Sequence, residues 1–215
     1  MQVDLSADYL IWDNTTSGTH TSRRNNGNVT TAVAVAKSRA LNFKELSASN
    51  GAYTAQDRAF IMPTALLASA KPGDYWTDAA ARRWTILESP KYANDTRWKL
   101  ICRDLILAND LRDIIAIERA AVTFGASAGK VRTWGATAYT LAAKVQKLTD
   151  ELTLQLGVHG FQGDYAVVIE SDVVLTGNDH LKWTVNGAAR YLEILGQHNP
   201  QRIDELPVLD CRAQP

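Results

Sequence analysis

The chain has 215 residues, of which 46% are hydrophobic and 21% charged, which is typical of a folded globular protein and argues against disorder. Lys plus Arg and Asp plus Glu both total 23, so no overall basic excess indicates tight binding to nucleic acid. No apolar run approaches the roughly 20 residues of a membrane-spanning helix, and the N-terminus lacks the features of a signal peptide. We therefore expect a protein that acts without secretion and without a membrane.

The first predicted element is a polar stretch, residues 14–31, with the sequence NTTSGTHTSRRNNGNVTT. It has almost no apolar residue to bury, and its Asn and Gly residues suit the positive-φ positions of a tight turn. We expect an exposed loop or loose hairpin with Arg23 and Arg24 at its tip. One interpretation is a solvated loop; the other is that the paired arginines face DNA phosphates or acidic residues of a neighbouring subunit.

After this stretch the first half of the chain alternates as short strands around one helix. VTTAVAVAK has the two-residue period of a strand, and Asn42 with Glu45 forms a capping-box pattern that opens a short helix ending near Asn50 and Gly51. The strand RAFIMP follows, then the turn residues 71–74, Lys-Pro-Gly-Asp. RRWTILES and RWKLICRDL are the last two predicted strands of this half.

The second half repeats this order when the chain is shifted by about 107 residues. Rare residues match in the same order, and the shift grows to 109 at the end, which a two-residue change in loop length explains. Residues 1–107 and 108–215 are thus predicted to be two copies of one domain, with net charges of +3 and −3. The matches include Ala36-Lys37 with Ala143-Lys144, Asp57 with Asp164, Trp76 with Trp183, Trp84 with Tyr191 and Cys102-Arg103 with Cys211-Arg212.

Within the second copy, Thr149 is predicted to open a helix, TDELTLQLG, that Gly157 ends. YAVVIE, ARYLEIL and LPVLDCRA are predicted strands, and the segment LILANDLRDIIAIERA between the copies fits either a short helix or the first strand of copy two. The sequence therefore predicts a mainly β protein of two tandem small β-barrels, each with one short helix.

Six residues are predicted to form the equivalent cores of the two copies. They lie in alternating apolar strands, where aromatic and thiol side chains are usually buried. Two cysteines in a chain of this length do not make a disulfide framework, so we expect both to be reduced and far apart. These six residues are Trp76, Trp84 and Cys102 in the first copy and Trp183, Tyr191 and Cys211 in the second.

No pattern of reactive residues indicates catalysis, a cofactor or a bound metal. The histidines, His20, His159, His180 and His198, have no ligand-type spacing and are expected at the surface. GASAGK, residues 125–130, has three residues between its glycines where a phosphate loop has four, and Val131 stands where Ser or Thr binds magnesium. Asp57 and Asp164 each come just before a strand, so we expect them to accept backbone N–H bonds rather than act as an acid/base pair.

The stretch PGDYWTDAAARRWTIL followed by RWKLICRDL resembles the head-tail adaptor and head-completion (stopper) proteins of tailed bacteriophages. The pattern of that family is a Pro-Gly-Asp turn, a short strand, a small-residue turn before an aromatic strand of the type R-W-x-V, and a closing strand that ends near Cys-Arg. The resemblance covers about Ala36 to Leu105 well and the second copy more weakly, where Gly177-Asn178-Asp179 replaces Pro-Gly-Asp. Members of that family are commonly single barrels, whereas this chain is doubled.

The resemblance implies a structural virion protein of the phage neck, assembled in the host cytoplasm as a homo-oligomeric ring. Its partners would be the portal or adaptor protein and tail proteins, and DNA would pass through or be retained by the ring. Two alternatives remain open: another virion component, such as a tail terminator or capsid-decorating protein, and, more remotely, an enzyme whose site is assembled from distant loops.

Overall fold

The computed structural model describes residues 12, 14–23, 29–124, 129–149, 162–170, 173–200 and 202–214. The chain divides into two compact units, Met1–Ala108 with Arg202–Asp204, and Asn109–Gln201 with Glu205–Pro215. We call them barrel one and barrel two. The strands are β1 Thr16–Ser22, β2 Val29–Ala40, β3 Arg58–Pro63, β4 Tyr75–Asp78, β5 Arg83–Glu88, β6 Lys91–Tyr92, β7 Arg97–Arg103, β8 Asp113–Phe124, β9 Lys130–Lys147, β10 Tyr165–Ile169, β11 Asp179–Val185, β12 Ala188–His198 and β13 Val208–Ala213.

The two units have the same topology, which confirms the predicted class of two small β-barrels. Barrel one has the strand order β3-β2-β1-β4-β5-β7 and closes by pairing β3 with β7, while the short β6 pairs with β7 as an addition. Barrel two closes in the corresponding order β10-β9-β8-β11-β12-β13. Every neighbouring pair in both barrels is antiparallel, so closure leaves neither barrel with an open sheet edge.

The helices of the described residues are short, and the first is the predicted one. In α1, Phe43–Ala48, the Asn42 side chain accepts from the Glu45 backbone N–H at 2.9 Å, and the Glu45 carboxylate accepts from the Asn42 N–H at 2.8 Å. This is the predicted capping box. A single turn, α2 at Leu105–Ala108, precedes β8, so the segment between the copies supplies both a helical turn and a first strand. The helix predicted from Thr149 to Gly157 falls almost entirely outside the described residues.

Of the two forms predicted for the polar stretch 14–31, the loop is wrong, because the described residues form a hairpin in which β1 pairs with β2. Thr16–Ser22 is the barrel strand β1, paired with both β2 and β4. Its inward positions are Gly18 and His20 because the Trp76 indole from β4 occupies the space beside them. A Cβ on Gly18 would lie 2.2 Å from Trp76 Cζ2, so the strand needs no apolar residue of its own there.

The interior of each barrel is filled by side chains from its own strands. The buried cluster of barrel one is rich in aromatic rings, whereas that of barrel two is aliphatic. Each barrel therefore has its own core. Burial of this kind stabilises a fold by about 25 cal/mol per Å² of apolar surface. The large buried side chains include Phe60, Met62, Trp76, Trp84, Ile86, Trp98 and Leu100 in barrel one, and Ile115, Ile117, Ile169, Leu181, Leu192 and Leu209 in barrel two.

Candidate functional site

The Pro-Gly-Asp turn of barrel one is built around a buried carboxylate. Asp74 accepts from the Lys71 backbone N–H at 2.9 Å, lies 3.2 Å from Nε2 of buried His20, and accepts from the Arg23 backbone N–H at 3.3 Å. Gly73 has φ +89, a conformation that favours glycine. The turn therefore holds the end of β1 against the start of β4.

Arg23 directly follows β1, between the two strands of the hairpin, where it was predicted. Its backbone is fixed by Asp74, and its guanidinium carbon lies 4.8 Å from the centroid of the Tyr75 ring, which Arg83 also approaches at 4.8 Å. The Arg23 residue is exposed. Arg24 lies outside the described residues.

A second carboxylate shapes the reversal between β4 and β5. Asp78 accepts from the backbone N–H groups of Ala80 and Arg82 and from Nε1 of Trp84 at 3.0 Å. Burial raises the pKa of Asp78, but the Trp84 and backbone hydrogen bonds lower it below its ordinary value. Ala81 has φ +60 in this reversal. The small-residue turn of the resemblance is thus a tight, carboxylate-capped hairpin.

Strand pairing identifies which residues of the two barrels are equivalent. Cys102 lies opposite Ile86 and Arg58, and Cys211 lies opposite Ile194 and Tyr165 in the same places. A β-bulge follows Ile86 and another follows Ile194. Both cysteines are buried and free, and burial raises the pKa of both thiols. Cys102 and Cys211 therefore occupy matching positions.

The matches on β4 and β5 are corrected by small shifts in register. Trp76 pairs with His20 and Trp84, whereas the corresponding pairs in barrel two join Leu181 to Ile117 and Leu192. Trp76 therefore corresponds to Leu181, two residues before Trp183, and Trp84 corresponds to Leu192 rather than Tyr191.

These shifts have different consequences for burial. A two-residue shift keeps a side chain on the same face, and half-buried Trp183 packs against the core while its Nε1 donates to Asp113 at 3.2 Å. A one-residue shift changes the face. Tyr191 consequently points outward with 38% of its surface exposed, so its assignment to the repeat core is wrong.

Asp57 and Asp164 accept backbone hydrogen bonds, as predicted. Asp57 accepts from the Thr54 N–H at 2.8 Å and Asp164 from the Ala213 N–H at 3.1 Å. Asp57 also pairs with Arg103, whose Nη2 lies 2.8 Å from its Oδ2. The pKa of Arg103 is raised by this hydrogen bond. These carboxylates tie strand ends together within each barrel.

The expectation that His20 and His180 lie at the surface is wrong, because both are 3% exposed. On the outer face of barrel two, Nε2 of His180 lies 3.0 Å from the Glu118 carboxylate, and the Trp134 ring stacks on the imidazole at 3.7 Å between centroids. The His180 hydrogen bond lowers the pKa of Glu118. Alternation with buried Leu181 places His180 and Lys182 on the outer face of β11, where the Trp134 ring covers the imidazole. His159 lies outside the described residues.

Trp134 reaches His180 because the β8–β9 hairpin is irregular at its base. The ladder shifts between Arg119 and Ala121, and Gly135 has φ +148 beside Trp134. Beyond this point four further residue pairs continue the hairpin, from Ala121 opposite Thr133 to Phe124 opposite Lys130. We call residues 121–124 and 129–133 the arm; sequence reasoning did not identify it.

Two negative findings apply to the described ranges. No group of three or more His, Cys, Asp or Glu side chains is placed there to hold a metal ion. No helix among the same residues is long and apolar enough to cross a membrane.

Comparison with known proteins yields little similarity. No family model matches the chain, and no curated protein matches it. The solution structure of protein SF1141 from Shigella flexneri 2a is similar, with 25% identity over 48% of this chain and 92% of that one and a TM-score of 0.38. At that TM-score the similarity carries no functional argument.

Proposed function

We propose that this protein is a structural component of the phage neck that assembles as a ring between the portal and the tail and helps to retain or channel DNA. The observation that carries the proposal is the segment resembling adaptor and stopper proteins. Its Pro-Gly-Asp turn, its Arg-Trp strand and its Cys-Arg strand form the contiguous β4-β5-β7 part of one closed barrel. The motif is therefore a folding unit rather than a scatter of similar residues.

The architecture also suits a structural role. Both interiors are filled by side chains, and the carboxylates described above are engaged in hydrogen bonds that hold turns and strand ends. Subunits that must withstand pressure from packaged DNA benefit from closed sheets, because a closed barrel has no edge at which strands can separate.

The test is electron microscopy of particles that contain the protein, together with the mass distribution of the purified full chain. Closed rings at the junction of head and tail are expected. Density on the capsid lattice would favour a decorating protein instead, and density at the distal side of the junction without portal contact would favour a tail terminator. A chain that stays monomeric at high concentration and is absent from the junction would overturn the proposal.

The hairpin tip of barrel one provides a second test. Substituting Arg23 and Arg24 together by Ala should lower DNA retention in filled heads or weaken ring assembly, with little change in stability expected because Arg23 is exposed. The matched control, Lys71→Ala with Arg112→Ala, removes the same charge elsewhere. If the Arg23 and Arg24 variant assembles, retains DNA and infects like the parent, the tip has no such role.

A further inference from the structure

The charges of this neutral chain are strongly segregated. Residues 14–44 and 119–149 each span 31 residues, contain five Lys or Arg, and contain no Asp or Glu. These two segments thus hold ten of the 23 basic residues and none of the 23 acidic ones, so they carry a net charge of +10 and the rest of the chain −10.

The two acid-free segments fold into the same part of each barrel. The first contains β1 and β2, and the second contains the second half of β8 and all of β9, which are the corresponding strands by topology. The same charge bias therefore occurs twice, on the first hairpin of each barrel. A second barrel with the same topology thus has its cations in the corresponding place.

Part of the negative charge elsewhere is internal. Five carboxylates are buried in the barrels, where Arg, His or backbone N–H groups satisfy them. The cations of the hairpins are distributed differently, since Lys37, Lys130, Arg132 and Lys147 are exposed. Exposed acids among the described residues lie outside the two acid-free segments, on different strands and turns. The buried carboxylates are Asp57, Asp74, Glu118, Asp179 and Asp210, and the exposed acids are Glu88, Asp95, Asp110, Asp164, Glu193 and Glu205.

The arm concentrates this charge on one face of a two-stranded ribbon. Residues directly opposite each other in an antiparallel pair share a face. Lys130 lies opposite Phe124, and Arg132 opposite Val122, so two cations and two apolar side chains lie together. Phe124 is 72% exposed. Within the described residues, Lys130 and Arg132 have no ion-pair partner.

From this arrangement we propose that the arm binds the backbone of double-stranded DNA, with Lys130 and Arg132 contacting phosphates without regard to base sequence. A two-stranded ribbon is narrow enough to lie along a DNA groove, and Lys and Arg provide the charge that phosphate contacts require. The inference rests on the proposed function, since it names the residues through which the neck would hold DNA.

A second copy of this chain is the competing occupant, and the charges favour DNA over it. Docking onto another copy through charge would need a cluster of exposed acids, yet the exposed acids of the described residues lie on different strands and turns, and five further acids are buried. A polyanion instead matches cations that recur on both first hairpins. The base of the arm is irregular in register, and Trp134 there stacks on His180, so this contact holds the ribbon where it leaves the barrel.

The experiment measures binding of the purified full chain to a fluorescein-labelled duplex of about 30 base pairs by anisotropy, between 50 and 200 mM KCl. The variant Lys130→Ala with Arg132→Ala should bind about tenfold more weakly at 100 mM, and its plot of log affinity against log salt should be shallower by about 2. The control Lys71→Ala with Arg112→Ala loses the same charge from exposed positions outside the hairpins and should stay within about threefold of the parent. Circular dichroism checks that all variants are folded.

Three outcomes would overturn the proposal: a parent that does not bind the duplex, equal losses in both variants, or no loss in the arm variant. In particular, if Phe124→Ser alters oligomer formation while Lys130→Ala with Arg132→Ala keeps full DNA affinity, the arm docks on protein. Ring formation is measured separately by mass photometry. A chain that binds DNA through the arm but never forms rings removes the neck proposal alone, and rings with arm-independent DNA binding remove this inference alone.

Discussion

In barrel one the buried carboxylate before the fourth strand, Asp74, lies beside a histidine, whereas in barrel two its counterpart, Asp179, lies beside an arginine. Both accept a hydrogen bond from the backbone N–H three residues earlier, at Lys71 and at Thr176. His20 and Arg119 are the differing partners, and both come from the preceding first strand. Both barrels therefore share the geometry of this turn, but the buried carboxylate is paired with a histidine in barrel one and with an arginine in barrel two.

The cores differ in the same way. The space filled by Trp76 and Trp84 in barrel one is filled by Leu181 and Leu192 in barrel two, at the same strand pairings. Gly18 in barrel one makes room for the larger ring, and Ile117 lies in place of His20. The two barrels share their strand order, their closure and the position of the bulge in the fifth strand of each barrel. They differ in how the volume of the core side chains is distributed among the strands.

The largest effect that tests this comparison comes from removing the central ring. Trp76→Ala should reduce the free energy of unfolding of barrel one by about 3–5 kcal/mol, because it leaves a large cavity in a filled interior. Leu181→Ala should cost barrel two about 2–5 kcal/mol, and Trp183→Ala less than Leu181→Ala because Trp183 is only half-buried. Urea unfolding, monitored through hydrogen exchange of peptides from each barrel, gives the change in the free energy of unfolding for each of the three variants.

If Trp183→Ala proved as costly as Trp76→Ala while Leu181→Ala were mild, the register correction would be wrong. Tyr191→Ala is the matched exposed control, and we expect it to change stability by no more than about 0.5 kcal/mol.

The two aspartates give a smaller, charge-specific contrast. Asp179→Asn replaces the acceptor of an Arg119 ion pair by a neutral amide and should destabilise barrel two by about 1–2 kcal/mol. Asp74→Asn should cost barrel one less, because an amide can still hydrogen-bond a ring nitrogen of His20. Hydrogen exchange at the two turns compares them within their own barrels. Equal losses would mean that the partners, although chemically different, contribute alike.

Acid should weaken barrel two through Asp179. Burial raises the pKa of its carboxyl, but hydrogen bonds from Arg119 and Thr176 lower it below its ordinary value. A depressed folded-state pKa contributes stability that is present above the unfolded pKa, near about 3.9, and that is lost as the pH falls through the folded value. Stability of barrel two measured from pH 7 to pH 2 should therefore fall below about pH 4, and Asp179→Asn should make that fall shallower. An unchanged pH profile in the variant would contradict this assignment.

The sequence predicted the parts of the fold that depend on local patterns. The Asn42–Glu45 capping box, the backbone-bound carboxylates of Asp57 and Asp164, and the match of Cys102 with Cys211 are all confirmed. The capping box and the Asp57 bond to Thr54 join residues close in sequence, and the cysteines are a distinctive pair at strand ends; Asp164 was identified only by its place before a strand, and its partner Ala213 is distant in sequence. Such signals survive without knowledge of tertiary packing.

What the sequence did not predict depended on packing between distant strands. β1 has glycine and histidine where a strand normally has apolar residues, because a ring from another strand fills the space, so its sequence does not show that it is a barrel strand. The match of Trp84 with Tyr191 failed because Trp84 follows Trp76 by 8 residues whereas Leu192 follows Leu181 by 11, so one fixed shift misses the register, and one residue reverses the face of a strand. The burial of His180 depends on Trp134, which an irregular hairpin brings across the barrel surface.

The smallest expected effect concerns the cysteines, the best-matched pair of the two barrels. Each lies at the same pairing position and is buried, and burial raises the pKa of both thiols, so little reactive thiolate forms at neutral pH. We expect neither thiol to react with Ellman's reagent in the folded protein within the time needed for complete reaction in 6 M guanidinium. Cys102→Ala and Cys211→Ala should each cost only about 1 kcal/mol, and by similar amounts, because each removes one small sulfur atom from a filled core. Fast reaction of one cysteine alone would show that its barrel opens more readily than the other, and would break the equivalence of the two cores at the position where they agree best.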